Sequence, residues 1–404
     1  MIWTERYWRF IPAVCALTIA AGGCGPTAGI GPVDPAKAFI DARSTLRQAA
    51  ESTDPVTRSN AIEALSEVVG TEAGGVYLEA LSDRLPVVRF AGAMAVAETQ
   101  YAPAEATLVR RAKETEPDSA VMCAVTYALH RLGNDEYTWV LGKLLFDDDA
   151  ETRANAAMVM GLMGEPSAQG PLKALLADEQ QEAVRLQARA ALARLGDSES
   201  KVRLRAYVKG YFLDLRLAAI PAMADINPPG AAGDFRMLLD RQKAPRVRVA
   251  AAGALARVAD VDPAGYALCV RAMRDPRSVL REGWGEREIR DLEVQSLQAL
   301  AALSLGRMGR YDAIPVLREH LESPVGAVRV AAALSILRIG DAEAMPTESA
   351  AEETPEKAPE PPSAEPEPEL PALGPAETSP DTEGGPAPEA PPVRPKIHTS
   401  GPKD

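Results

Sequence analysis

Residues suited to acid–base, nucleophilic or metal chemistry are few in this 404-residue chain and lie far apart. The three histidines are His130, His320 and His398, and none has a cysteine or carboxylate at the spacing that a zinc site uses. The chain also contains no His-Glu-x-x-His, Gly-x-Ser-x-Gly or Walker-type segment. These residue types therefore predict a protein that is not an enzyme and that has no metal site and no cofactor.

The N-terminal segment has the pattern of an export signal. Arg6 and Arg9 precede an apolar run, residues 10–21, that is too short to span a bilayer as a helix. The small residues Ala21-Gly22-Gly23-Cys24 resemble the lipobox of bacterial lipoproteins, in which the cysteine thiol is acylated before the signal is removed. The resemblance implies a signal peptide over 1–23, lipidation of Cys24 and a short linker over 24–33. The alternative is an ordinary signal peptide that is cut near a cysteine.

The elements that must position these side chains repeat along the chain. Alanine and leucine dominate residues 34–341, and apolar residues recur three and four places apart, which predicts helices throughout. An arginine, replaced once by Met122, recurs every 31 to 33 residues and stands eleven places before a glycine or its equivalent. Such a period predicts stacked helical hairpins. The recurrent arginines are Arg58, Arg89, Arg153, Arg185, Arg216, Arg248, Arg281 and, after a change of frame, Arg329.

One repeat unit has a recognisable form. Val184-Arg185 opens an alanine-rich helix that ends at Gly196, and second helices begin with segments such as Ala313-Ile314-Pro315. This pattern resembles the HEAT repeat, in the short form also found in phycobilisome-lyase-like proteins. The resemblance implies an all-α fold, a right-handed α-solenoid (α-α superhelix) of about nine HEAT-like helical hairpins over 34–341. At about 10 Å per stacked repeat, nine repeats predict an extended solenoid about 90 Å long.

The recurrent arginine has two interpretations. It can bond to a carboxylate or carbonyl of the neighbouring repeat and so form a structural ladder, since each repeat must be tied to the next. It can also belong to a row of ligand-binding arginines. The acids that precede it by about four places, Asp54, Asp118 and Asp149, suit the N-termini of helices, where backbone N–H groups need acceptors.

Two further cysteines lie within the repeats. Cys123 and Cys269 fall nearly five repeats apart, which predicts that they form no disulfide with each other. We expect both to be small buried core residues.

The repeat frame slips once, by 14 residues, between Arg281 and Val294. The predicted insertion near 282–293 places Trp284 between two glycines. Insertions in solenoids map to loops, often on the binding face, and a tryptophan among arginines has the composition of a protein-recognition site. The alternative is a longer connection in which Trp284 packs back onto the helices. The predicted partner-binding residues are Trp284, Arg281, Arg287 and Arg290.

The C-terminal segment, residues 346–404, differs in composition from the repeats. It holds 16 of the 34 prolines and a net charge of −9, out of −13 for the chain. Such a segment buries too little apolar surface to offset its ordering entropy, which predicts a disordered tail. The tail is either a spacer or docking ligand, or a solvating segment without a partner. The acidic balance argues against nucleic acid as a partner.

These features together predict a non-enzymatic scaffold. We expect a membrane-anchored HEAT-repeat lipoprotein of the bacterial envelope, at the outer membrane or the periplasmic face, that binds one or more protein partners on its concave helix face. The alternative, implied by the likeness to phycobilisome lyases, is a lyase-like or chaperone role toward a tetrapyrrole or another small ligand.

Overall fold

A computed structural model describes residues 34–114, 116–284 and 288–344, and within these ranges all regular elements are helical. Four short 3₁₀ turns accompany the α-helices. The predicted signal peptide, linker and tail lie outside the described residues, as do the side chains of Trp284 and residues 342–344. The α-helices are α1 (Pro35–Ala50), α2 (Pro55–Val68), α3 (Gly74–Leu81), α4 (Pro86–Thr99), α5 (Glu105–Lys113), α6 (Ser119–Arg131), α7 (Trp139–Leu144), α8 (Ala150–Met163), α9 (Gln169–Asp178), α10 (Glu182–Arg194), α11 (Ser198–Lys209), α12 (Leu213–Ile226), α13 (Ala231–Arg241), α14 (Pro245–Val258), α15 (Pro263–Arg274), α16 (Pro276–Trp284), α17 (Asp291–Met308), α18 (Ile314–Arg318) and α19 (Gly326–Ala344).

The helices form two layers. Nine inner helices pack side by side, and each carries one copy of the recurrent arginine position. The outer helices cover them, as α11 does by packing against both α10 and α12. The predicted all-α repeat fold of about nine helical hairpins is confirmed. The inner helices are α2, α4, α6, α8, α10, α12, α14, α17 and α19, and the outer helices are α1, α3, α5, α7, α9, α11, α13, α15 and α18.

The two ends of the repeat region close on each other. Helix α1 packs against both α19 and α2, and α19 also contacts α2 directly. Arg338 of α19 pairs with both carboxylate oxygens of Glu67 on α2, with Nη2–Oε2 at 2.9 Å. Arg318, at the end of α18, lies 3.5 Å from Asp41 of α1. The first helix therefore occupies the outer position beside the ninth inner helix, and the repeats form a ring.

The expectation of an extended solenoid about 90 Å long is therefore wrong. Each repeat is turned relative to the one before it, and nine such turns bring the last inner helix back to the first. Closure buries the apolar faces that a rod would expose at its two ends. Ala38, Ala42 and Leu46 of α1 are accordingly buried.

Neighbouring inner helices approach each other closely where both present small residues. A Cβ atom added to Gly161 would lie 2.6 Å from Cα of Ala191 on the next inner helix. Gly253 faces Ser304 in the same way, and the Ser304 hydroxyl donates a hydrogen bond to the Val249 carbonyl at 3.0 Å. Buried alanines recur along the inner helices, which is typical of helices that are largely surrounded by protein.

The helix ends follow the predicted chemistry. Asp54, Asp118 and Asp149 each accept a hydrogen bond from a backbone N–H in the first turn of an inner helix, which confirms their predicted role. At the other end, Gly164 and Gly196 adopt the left-handed conformation, with φ of 78° and 96°.

The position of the insertion needs a correction. Arg281 lies on α16, an additional helix, and not on an inner helix. The recurrent position after Arg248 is Gln298, because the left-handed Gly309 follows it by eleven places and Arg329 comes 31 residues later. Arg281 had matched the period by spacing alone. The insertion therefore begins before residue 282 and includes α16.

Candidate functional site

The helix ends define two rims of the ring. The N-rim is the set of loops in which outer helices end and inner helices begin, such as residues 82–85 and 210–212. The C-rim is the set of turns in which inner helices end, such as residues 131–133 and 194–197. The functional candidates separate onto these two rims.

At the N-rim, three recurrent arginines join adjacent repeats. In each case Nε donates to a carboxylate six places before the next recurrent position, as Arg153 does to Glu179 at 2.7 Å. Nη1 of the same arginine donates to carbonyls of the loop before its own helix, such as Asp147 at 2.9 Å. One guanidinium thus ties two repeats together. The three pairs are Arg58–Asp83, Arg89–Glu116 and Arg153–Glu179.

The other four inner-helix arginines of the predicted ladder have no such acid. Arg185, for example, donates to the Glu179 carbonyl at 2.9 Å, and Gly210 stands where the next carboxylate would be. The buried Nε of Arg216 has no hydrogen-bond partner within the described ranges. The ladder therefore contains carboxylates in one part of the ring only. The four arginines are Arg185, Arg216, Arg248 and Arg329. The positions that would hold their acids, six places before the next recurrent position, are occupied by Gly210, Gln242, Leu292 and Ser52.

Glu116 is the most buried carboxylate of the ladder. Its side chain accepts hydrogen bonds from Arg89 Nε at 3.2 Å and Arg111 Nη1 at 2.6 Å. Burial by itself would raise the pKa of Glu116, but the hydrogen bonds and charges of the two arginines outweigh burial and hold that pKa below its usual value. The pKa of Glu179 is lowered in the same way, against burial, by Arg153.

These shifts predict acid sensitivity. A carboxylate whose pKa is lower in the folded chain stabilises the fold above its unfolded pKa, and this stabilisation is lost as pH falls below about 4.5. We expect Glu116→Gln to lower the free energy of unfolding at pH 7 by about 3 kcal/mol, because two arginines lose their buried partner. We also expect this variant to lose less stability than the wild type between about pH 6 and about pH 3.

Denaturant unfolding at several pH values measures both effects. The exposed Glu114→Gln is the matched control, two residues away, and it should unfold like the wild type. Equal acid sensitivity of Glu116→Gln and the wild type would count against this role for Glu116.

The N-rim also carries exposed aromatic side chains. Tyr211 is 93% and Phe212 66% exposed, and their rings meet edge to face with centroids 5.9 Å apart. Phe212 occupies the N-cap of α12, a position that Asp54 and Asp149 fill in other repeats. Phe146, at the end of an outer helix, is 55% exposed on the same rim. These residues are not among the predicted partner-binding residues, although the replacement of capping and ladder acids by Gly-Tyr-Phe is a signal that the sequence contains.

At the C-rim, arginines from different inner helices share one carboxylate. The Asp225 carboxylate at the end of α12 lies 2.8 Å from Arg257 Nη2 and 3.4 Å from Arg194 Nη2. On the same rim, at the end of α6, Arg131 Nη1 donates to the Tyr127 hydroxyl at 3.2 Å. Burial lowers the pKa of Arg194; Asp225 and Tyr127 oppose this effect, and Arg257 adds to it.

The predicted partner-binding residues do not form a single site in the described structure. Arg281 is exposed on α16, and Arg290 caps α17, where its N–H donates to the Glu293 carboxylate at 3.0 Å. Arg287, the side chain of Trp284 and the predicted lipidation site Cys24 lie outside the described residues. The predicted concave helix face is closed on itself, because the inner helices of the described residues form a ring and not an open arc.

The remaining reactive side chains have structural surroundings. Cys123 and Cys269 are buried thiols that are not joined in a disulfide, which confirms their predicted place in the core, and burial raises the pKa of Cys269 to about 12. His130 Nδ1 lies 2.6 Å from Asp135, and His320 Nδ1 lies 2.9 Å from the Val316 carbonyl. Across the described ranges, no three His, Cys, Asp or Glu side chains are grouped to hold a metal ion. None of the helices in those ranges is long and apolar enough to cross a membrane.

Comparison with known proteins finds HEAT repeats in two parts of the chain. The family model for HEAT repeats matches residues 138–211 and 289–347, which span α7 to α11 and α17 to α19. The complex of CpcE and CpcF of phycocyanin lyase from Nostoc sp. PCC7120 is 18% identical, covers 65% of this chain and 100% of its own, and has a TM-score of 0.39. Human deoxyhypusine hydroxylase with bound glycerol is 16% identical, covers 76% and 100%, and has a TM-score of 0.33. No curated protein matches the chain in sequence.

Proposed function

We propose that this HEAT-repeat protein is a non-enzymatic scaffold that binds a protein partner at its N-rim and is anchored to the bacterial envelope through Cys24. The observation that supports partner binding most directly is the exposed pair Tyr211 and Phe212. Aromatic side chains are enriched among the residues that dominate binding energy at protein interfaces. At 93% exposure the Tyr211 side chain contributes little apolar burial to the fold, so most of its surface is accessible to a partner.

The surroundings of the pair indicate the chemistry of the partner. Gly210 removes the carboxylate that Arg185 would bind if the ladder continued through this repeat. The Arg185 side chain is 30% exposed, and its Nε lies 3.3 Å from the carboxylate of Glu182. Its Nη1 donates a hydrogen bond to the Glu179 carbonyl. A partner carboxylate at this place would reproduce the bond that Arg153 makes to Glu179. We therefore expect a protein segment that presents apolar and acidic side chains together.

Binding is tested with the double variant Tyr211→Ala/Phe212→Ala. Chemical cross-linking in envelope extracts should capture a partner with the wild type, and we expect the double variant to capture it about 30-fold less, as the loss of an interface hot spot predicts. Trp139→Ala is the matched control, since Trp139 is 60% exposed on the outer helix α7, away from this pair. Equal capture by the double variant and the wild type would contradict binding at the N-rim.

The anchor rests on the small residues before Cys24 and on the apolar run that precedes them. Acylation at this cysteine would hold the ring at a membrane stably if more than one acyl chain is attached. Mass spectrometry of the mature N-terminus provides the test. We expect a first residue of Cys24 carrying lipid, and an unmodified terminus elsewhere would leave an exported repeat protein without an anchor.

A further inference from the structure

We propose that Arg131, Arg194 and Arg257 form an anion site at the C-rim that binds a phosphate group or another doubly charged oxyanion. The three guanidinium groups come from the last turns of α6, α10 and α14, and Asp225 comes from α12. This site lies on the opposite rim from the aromatic pair and does not depend on partner binding.

The first argument is the balance of charge. Within the described ranges, Asp225 is the one carboxylate in contact with Arg194 and Arg257, and the recorded partner of Arg131 is the neutral Tyr127 hydroxyl. Arg194 and Arg257 therefore share one negative charge. Arg131 is linked to them through Tyr127, which accepts its hydrogen bond and also acts on the pKa of Arg194, and Arg131 brings a third positive charge. By contrast, Arg338 binds both oxygens of one carboxylate, Glu67. A doubly charged anion would neutralise the cluster.

The second argument is confinement. The side chains of Arg194 and Asp225 are 19% and 17% exposed, so water screens them less than it screens surface charges. Arg257 is 48% exposed and forms the open side of the cluster. A partly buried cluster with an excess of positive charge is costly unless an anion enters it. The last turn of a helix favours an arginine, and this preference accounts for Arg194 on α10 and for Arg257 on α14 taken separately. It does not account for the fact that both contact one carboxylate, Asp225.

The third argument is the supply of donors. Each guanidinium has five N–H groups in a planar fork that matches a carboxylate or a phosphate. Asp225 contacts Arg257 through Oδ1 and Arg194 through Oδ2, so the two guanidinium groups lie on either side of this carboxylate. The remaining N–H groups are available to a second anion. Because the arginines belong to separate packed helices, their positions are set before a ligand arrives.

The test measures binding of inorganic phosphate by isothermal titration calorimetry, with chloride at equal ionic strength as the reference. We expect saturable binding by the wild type and at least tenfold weaker binding by Arg257→Gln, which alters the most exposed arginine. Arg194→Gln should have a similar effect if it folds. Arg271→Gln is the matched control, because Arg271 is 54% exposed and pairs with one carboxylate, Glu282, at 2.8 Å. It should bind phosphate within twofold of the wild type.

A second arm distinguishes a free anion from a lipid headgroup. Vesicles of phosphatidylcholine with and without phosphatidic acid are mixed with the same proteins. Binding of inorganic phosphate that Arg257→Gln weakens supports a free oxyanion, and binding of phosphatidic acid vesicles alone, again weakened by Arg257→Gln, supports a lipid phosphate. The proposal is overturned if the wild type binds neither probe, or if Arg271→Gln weakens binding as much as Arg257→Gln does.

Discussion

Cysteines at positions 57 and 326 should form an intramolecular disulfide that locks the ring. A Cβ atom on Gly326 lies 2.9 Å from Cβ of Thr57, so a small shift brings the pair to the spacing of a disulfide. The two positions are far apart in sequence and meet because α19 returns to α2. In the chain-entropy account, a cross-link over a loop of about 270 residues stabilises the fold by about 5 kcal/mol.

Non-reducing electrophoresis of the variant Thr57→Cys/Gly326→Cys measures the cross-link, and denaturant unfolding with and without reductant measures its effect. The single variants Thr57→Cys and Gly326→Cys are the controls, and neither should show a compact cross-linked monomer. The native Cys123 and Cys269 are buried, so they should not compete. If the double variant forms only dimers or stays reduced under oxidation, the repeats do not close as described.

Gly161→Val should be among the most destabilising single substitutions in the inner layer. Any Cβ at this position meets the backbone of Ala191 on the neighbouring inner helix at 2.6 Å, so the two helices must move apart. Overpacking of this kind costs about 3 kcal/mol. The displacement would also spread, because each inner helix contacts the next around the ring.

Gly142→Ala should have the opposite effect on the free energy of unfolding. Gly142 lies within α7, and a Cβ at this position meets nothing within 4 Å. Replacing a helical glycine by alanine should then stabilise the chain by about 0.5–1 kcal/mol. Denaturant unfolding of both variants checks the pair, and equal effects of the two substitutions would show that helix propensity, rather than helix contact, governs these glycines.

Much of the fold could be read from the sequence because each repeat carries local signals. The caps at Asp54 and Asp118 and the left-handed Gly164 act within one helix end, and their residue types suffice to identify them. Spacing alone was less reliable, as Arg281 shows, since it fitted the period but lies on the additional helix α16. Gln298 holds the recurrent position without the expected residue type.

Closure of the ring could not be read in this way. It depends on a small rotation between adjacent repeats, summed nine times, and the sequence of any one repeat does not reveal that angle. The salt bridge between Arg338 and Glu67 crosses this junction, but nothing in their spacing distinguishes them from other surface charges.

The candidate sites were also missed, for two reasons. Tyr211 and Phe212 lie in an ordinary short loop, whereas Trp284 lies beside the one change of frame in the repeats, which favours it on sequence alone. Gly210 stands where the ladder would place an acid, and this position becomes informative once the partner of each ladder arginine is known. The C-rim cluster joins residues from α6, α10, α12 and α14, and each of them stands nine places after the recurrent position of its own helix. That register is readable in the sequence, but it does not show which residues of the different repeats meet.

A ring also restricts how this protein can vary. An open solenoid can gain or lose a repeat at either end and still present a stable, capped stack. Here α1 fills the outer place beside α19, and the junction bonds from Asp41 and Glu67 require a fixed total rotation. Deleting or duplicating one hairpin would leave a gap or an overlap at this junction, so geometry holds the number of repeats at nine.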